Sequence, residues 1–421
     1  MRPMTPRGFR DALPQEAAER ERISSVMSEV LESWGYGRVE TPVVEDYAVL
    51  ERGAGASLEG TAFRLFDADG RLLALRPEMT VPIARLVASR LAGESGTKRL
   101  RYVADVFREQ ASLRGQLRQF TQVGVELIGE AGPAADAEVI AVFVEALEAT
   151  GLREFTVGVG TVAVLRCVIE AAGMELAWND AVLRAAHERN LVAIDELAVQ
   201  PGVPASVASA LSGVPRVRGG REAIDACREL VAGCGGSDLL DELAETWDLL
   251  ATLGVDSRVS LDFGIMRSFD YYTGVVLEVY APGIGLAIGG GGRYDGVLAE
   301  FDAPAPAAGF AVGLERLHIA LAEQGAEPAV RRLDALLGGS ASEAFPAAAR
   351  LRSAGWRVRL AIGTCGPELA REAAAACAVE ALLVADGRIL RLDRAGERVA
   401  PLAEPLPAPP SLADAIGGEG L

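Results

Sequence analysis

Lysine is almost missing from this chain: Lys98 is the only one in 421 residues, so nearly every positive charge is an arginine. The bland source of that bias is genome composition. Histidine is scarce too. His187 and His318 are the only two, and both fall in helical stretches that read as structural, which excludes much histidine-based catalysis. The five cysteines, Cys167, Cys227, Cys234, Cys365 and Cys377, show no CxxC spacing, so a zinc site lacks its ligands and no cofactor is expected. They read as buried or incidental thiols in a reducing compartment. No apolar run approaches the roughly 18 residues that a spanning helix needs, and Arg2, Arg7 and Arg10 are followed by no apolar stretch of a secretory leader. The expectation is a cytoplasmic protein with no membrane partner. A formal charge of −18 works against a broad surface for a polyanion, which requires clustered cations that release counterions.

What is present is enough apolar residue, 50%, for a substantial core, in a chain too long for one ordinary domain. After the leader Met4 to Pro14, helical spacing runs from Gln15 to Trp34 through Ile23, Val26, Met27, Val30 and Leu31, and Gly35 stops it. Asp69-Gly70 between the apolar runs of Phe63 to Leu75 predicts a hairpin. Arg101 to Phe107 and Phe120 to Ile128 read as strands joined by a polar loop, and Ala134 to Thr150 as a helix. From about 162 to 255 the pattern is mostly helical and carries no recognisable chemistry, as an insertion would. Strands return at Val259 to Phe263, Thr273 to Tyr280 and Leu286 to Ile288, and a helix is expected over Ala311 to Gln324. Strands in hairpin blocks predict an α+β fold on an antiparallel sheet rather than a doubly wound parallel one. Residues 329–400 form a second, small α/β pattern. The tail, 401–421, is rich in Pro, Ala and Gly and is expected to lack order.

Three stretches carry chemistry. In Leu75-Arg-Pro-Glu-Met-Thr80, a continuing strand would place Glu78 and Thr80 on one side, where the carboxylate can meet a ligand ammonium; a turn with a capping threonine is the alternative. On the strand around Gln122, the residues Phe120, Gln122, Gly124 and Glu126 share a face. Burying Gln122 and Glu126 unpartnered would cost about 1–3 kcal/mol each, so that face lines a wet pocket or is simply solvated. Arg267, close to Tyr271 and Tyr272, fits a bidentate carboxylate clamp. The glycines from Gly283 to Gly296 match neither phosphate-loop pattern and fit a bulge or a close backbone approach to a ligand.

Taken together, Leu75 to Thr80, Phe107 to Glu126, Arg267 to Gly274, Gly289 to Gly296 and Gly309 to Arg316 resemble, in order and spacing, the class II histidyl-tRNA synthetases. The resemblance covers residues 5 to 325 apart from variable parts of the insertion. It implies a six-stranded antiparallel sheet flanked by helices, a homodimer, and a histidine pocket at Glu78, Thr80, Arg108, Gln122, Glu126, Arg267, Tyr271 and Tyr272. Two positions depart from the synthetase pattern in the loop that would hold ATP. Gln110 stands where the second motif has glutamate, and Gln116 stands where arginine precedes the Tyr-Arg-Gln-Phe run. Each lost charged hydrogen bond costs about 1.5–3 kcal/mol. The runs Leu75 to Arg85 and Arg118 to Gly129 are more similar to a paralogous family, the regulatory subunits of short-form ATP phosphoribosyltransferase. That resemblance implies a non-catalytic partner of the short catalytic subunit, with L-histidine as effector, acting in the first step of histidine biosynthesis. The alternative it leaves is a working synthetase that activates histidine with ATP and charges tRNA. Residues 333–400 resemble a shortened anticodon-binding domain, yet show no basic patch, so tRNA is not an expected partner.

Overall fold

In the computed structural model, which describes residues 4–58, 60–110, 116–265, 271–326, 333–403 and 405–409, Asp69-Gly70 turns the chain between strands Arg64–Phe66 and Leu72–Leu75. Gly70 sits at φ 83°, a backbone state that L side chains avoid. Val44–Asp46 pairs on the other side of Leu72–Leu75 to complete a small three-stranded sheet.

The main sheet has an antiparallel centre of six strands. In spatial order they are Lys98–Phe107, Gln119–Ile128, Ala307–Gly313, Gly289–Arg293, Val275–Tyr280 and Thr156–Thr161. Parallel pairing appears at the margins, where Gly37–Arg38 joins Lys98–Phe107 and Val259–Asp262 joins Thr156–Thr161. Helix Pro133–Ala149 carries proline in its first turn, where no N–H is missed. It is apolar on nearly every side, through Val139, Ile140, Val142, Phe143, Val144 and Leu147, because it is buried on nearly every side. Phe143 stacks on Phe310 of the sheet with ring centroids 4.1 Å apart. A buried ion pair ties the same helix to the end of the glycine strand: Arg293 Nε and Nη2 donate to Asp136 Oδ1 at 2.9 and 2.7 Å. His318 bridges the outer helices, its Nε2 lying 2.6 Å from Glu19 Oε2.

Close packing explains Gly124, which pairs with Tyr102 across the sheet. A Cβ there would lie 2.5 Å from the Tyr102 hydroxyl and would also meet the Phe310 carbonyl. Gly124→Ala is therefore expected to destabilise the fold by about 1–3 kcal/mol, as overpacking does, measurable by urea denaturation.

Several boundaries differ from expectation. The glycine run is itself a strand, Gly289–Arg293, in place of the one expected at Leu286 to Ile288. The helix expected from Ala311 starts at Leu314, because Ala307–Gly313 is the strand that pairs with both Gly289–Arg293 and Gln119–Ile128. The strand ending at Leu75 does not continue to Thr80; a turn intervenes and helix Thr80–Leu86 begins. Between residues 162 and 255 the chain forms helices Val162–Ala172, Leu176–His187, Leu191–Ala198, Ala205–Gly213, Glu222–Val231 and Ser237–Leu253.

The chain divides into two compact units at Pro328/Ala329. The second contains strands Val358–Ile362, Ala335–Gly339 and Glu380–Ala385 in parallel, followed by antiparallel Arg388–Leu392 and Arg398–Pro401. Part of the segment expected to lack order is ordered: Pro401 closes the last strand, Leu402 is buried, and Trp356 Nε1 donates to the Pro407 carbonyl at 2.8 Å. The remainder, 410–421, lies outside the described residues. Among the described residues, no helix is long and apolar enough to cross a membrane, and no cluster of His, Cys, Asp and Glu could hold a metal.

Candidate functional site: an acidic cleft on the antiparallel sheet

A cleft enclosing about 820 Å³, its mouth included, opens on one face of the central sheet. Its size is that of an ordinary small-molecule site. Seven of the eight expected site residues line it: Glu78, Thr80, Arg108, Gln122, Glu126, Tyr271 and Tyr272. Arg267 lies outside the described residues, as do residues 111–115 of the loop after Gln110.

The deep end is built from groups that accept hydrogen bonds. Glu78 does not extend a strand; its carboxylate accepts from the backbone N–H groups of Thr80 and, at 2.9 Å, Val81, which caps the start of helix Thr80–Leu86. Burial raises its pKa, and those N–H bonds together with nearby Arg108 offset part of the rise. Glu126, only 2% exposed, accepts from the Tyr294 hydroxyl at one oxygen and from Thr80 Oγ1 at the other, 3.1 Å away. Gln122 Oε1 is buried without a hydrogen-bond partner. Of the expected face, Phe120, Gln122 and Glu126 line the cleft and Gly124 is buried against Tyr102, so the face is not simply solvated. Tyr271 and Tyr272 rings lie 4.9 Å apart, and Tyr294 meets Tyr271 edge-on at 6.0 Å. Gly289, Gly290, Gly291 and Gly309 supply a floor of bare backbone.

Cations stand elsewhere in the same cleft. Arg108 Nε donates to the Pro77 carbonyl at 2.8 Å, and its guanidinium lies over the Phe120 ring. Arg316 Nη1 donates to the Ala287 carbonyl at 2.7 Å. Gln110 turns back on its own loop, donating from Nε2 to the Leu117 carbonyl at 2.7 Å. Three cleft residues had not been singled out from the sequence. Tyr294 sits in the Gly-Arg-Tyr-Asp run, where its spacing from the glycines was visible. Tyr102 becomes apparent only once its register opposite Gly124 is known. Glu315 turns inward from the first turn of helix Leu314–Glu323 and accepts from the Thr121 N–H and from Arg20.

Burial drives the Glu126 carboxyl up to about 8 from an ordinary 4.5, with neighbouring Glu78 adding to the rise and Tyr294 and Thr80 opposing it. The folded value exceeds the unfolded one, so this group's contribution to stability is intact below about pH 4.5 and is lost as pH rises through about 8. The ligand-free protein should therefore melt at lower temperature at pH 8 than at pH 5. Glu126→Gln should flatten that decline, as scanning calorimetry across the range would record.

Comparison with known proteins fixes the family. The histidyl-tRNA synthetase family model matches residues 8–317. An ATP phosphoribosyltransferase regulatory subunit from Moorella thermoacetica is 41% identical over 318 residues, covering 76% of this chain and 82% of the relative. One from Symbiobacterium thermophilum is 40% identical over 391 residues, covering 90% and 96%. The chain belongs to the family of ATP phosphoribosyltransferase regulatory subunits. A solved Bacillus halodurans structure, described as an ATP phosphoribosyltransferase regulatory subunit/histidyl-tRNA synthetase, superposes on this regulatory-subunit chain with a TM-score of 0.78. It is 33% identical and covers 89% of this chain and 97% of its own. Histidyl-tRNA synthetase from Nostoc reaches the same TM-score at 21% identity, with coverage of 94% and 96%, which shows the shared fold.

Proposed function

We propose that this chain is the non-catalytic regulatory subunit of a short-form ATP phosphoribosyltransferase, and that L-histidine bound in the sheet cleft is its feedback signal. The observation that carries this is the distribution of polar groups in the cleft. Glu78, Glu126 and the unpartnered Gln122 Oε1 offer buried acceptors at one end, and Arg108 and Arg316 offer positive charge in the same space. A zwitterion with a second basic group matches that arrangement: ammonium and imidazole N–H groups toward the acceptors, carboxylate toward arginine. Arg267, by family resemblance, adds a carboxylate clamp.

The proposed chain makes and breaks no bond. Gln110 and Gln116 occupy the positions where a synthetase would use charged groups on ATP. Histidine can act through it only by binding more tightly to an inhibited assembly than to an active one. The assembly in this proposal contains the short catalytic subunit, with two copies of this chain paired through the synthetase-like unit. The test is to mix the purified chain with that catalytic subunit and follow co-elution, alongside histidine-dependent ATP–pyrophosphate exchange by the chain alone. Co-elution without exchange is expected. Robust exchange would mean that the chain is a working synthetase.

A further inference from the structure

Two of the five cysteines meet in the helical segment. Cys167 lies in helix Val162–Ala172, and Cys234 lies just beyond helix Glu222–Val231. The Cys167 thiol donates to the Cys234 carbonyl at 3.5 Å. The turn wraps tightly over that sulfur: a Cβ on Gly236 would sit 3.3 Å from Cys167 Sγ, and one on Gly235 3.6 Å. Gly235 and Gly236 hold φ of 85° and 88°. Cys234 is therefore flanked by Gly233, Gly235 and Gly236, residues with no side chains to obstruct a small adjustment of the turn. A disulfide needs its two Cβ atoms about 3.8 Å apart; a small shift of the glycine-flanked turn sets that spacing, and rotation of the Cys234 side chain then brings its sulfur onto Cys167.

We propose that Cys167 and Cys234 form a reversible disulfide when a low-molecular-weight disulfide such as oxidised glutathione is present, fastening the first helix of the segment to the turn before helix Ser237–Leu253. Cys167 is the more exposed of the two and reacts first. Its thiolate attacks one sulfur of oxidised glutathione and expels one glutathione thiolate. The Cys234 thiolate then attacks the Cys167 sulfur of the mixed disulfide and expels the second. Two protein thiols lose two protons and two electrons, and one oxidised glutathione becomes two reduced molecules. Burial, with the nearby Cys167, raises the Cys234 thiol and a hydrogen bond with Ser206 opposes the rise; the thiol leaves Ser206 to attack, which slows the second step. Cys227 is buried in a helix with its thiol pushed up to about 12, so it does not compete.

The bridge would matter to the sheet because helix Val162–Ala172 continues directly from strand Thr156–Thr161, which pairs with Val275–Tyr280. The test is peptide mapping of the full reduced chain after incubation with oxidised glutathione, acid quenching and non-reducing digestion. A linked pair of peptides containing Cys167 and Cys234, lighter by two hydrogens than their sum, is expected. It should persist in a Cys365→Ser/Cys377→Ser variant, disappear in Cys167→Ser, and raise the melting temperature until reductant is added. Glutathione retained on Cys167 with Cys234 free, or modification confined to Cys365 and Cys377, would overturn the proposal.

Discussion

Replacing Glu126 with glutamine is expected to weaken L-histidine binding by about thirtyfold or more while leaving the fold intact. The amide has the shape of the carboxylate and can still accept from Tyr294 and donate to Thr80 Oγ1, so the hydrogen-bonded frame survives. What disappears is the buried negative charge. Removing one member of a buried, hydrogen-bonded charge pair costs about 2–5 kcal/mol, and each 1.36 kcal/mol is a factor of ten. Because the free carboxyl titrates near 8, a cation must displace its proton on binding at neutral pH. Affinity of the wild-type chain should therefore climb from pH 6 to 8 with proton release, and the variant should lack both features. Calorimetric titration in buffers of different ionisation enthalpy reads affinity and protons together. An unchanged affinity in the variant would remove Glu126 from the pocket's role.

Arg293→Ala is expected to cost about 3–5 kcal/mol of folding stability, the range for leaving a buried charge without its partner. Arg293 donates twice to Asp136, once to the Glu130 carbonyl and once to Asp295. Desolvation drives the buried Asp136 carboxyl upward, and Arg293 is the group that offsets part of the rise. Alanine would leave Asp136 facing a void at the point where helix Pro133–Ala149 meets the glycine strand. The double change Arg293→Met/Asp136→Leu should recover part of the loss, since apolar replacement of both partners avoids the uncompensated charge. Equal denaturation midpoints for wild type and Arg293→Ala would show that the pair contributes little.

Much of this architecture was legible because local signals agreed with the fold. Asp69-Gly70 fixed one hairpin, and the period of Ile23, Met27 and Leu31 marked the buried stripe of the first helix, Pro14–Ser33. The alternation Gln122, Gly124, Glu126 was visible as a face, and its polarity hinted at a pocket. The glycine strand was not legible, since glycine has little strand propensity. Gly289, Gly291 and Gly292 are glycines within a paired strand because their neighbours leave no room for side chains: a Cβ on Gly291 would run into the Gly309 carbonyl. Nor could spacing reveal that Glu78 caps a helix, since that depends on the chain turning after Arg76, whose buried guanidinium is held by the Thr41, Pro42 and Asp105 carbonyls. Side chains contributed from distant strands, such as Tyr102, became site residues only through register.

The most direct test of the sensing cleft is the histidine inhibition curve of the catalytic subunit assembled with this chain, compared with the same assembly carrying Glu126→Gln. The expected result is phosphoribosyl transfer that depends on this chain, is suppressed by histidine with the wild-type subunit, and resists histidine with the variant. Identical inhibition curves for the two assemblies would place histidine's action outside the cleft and contradict the account.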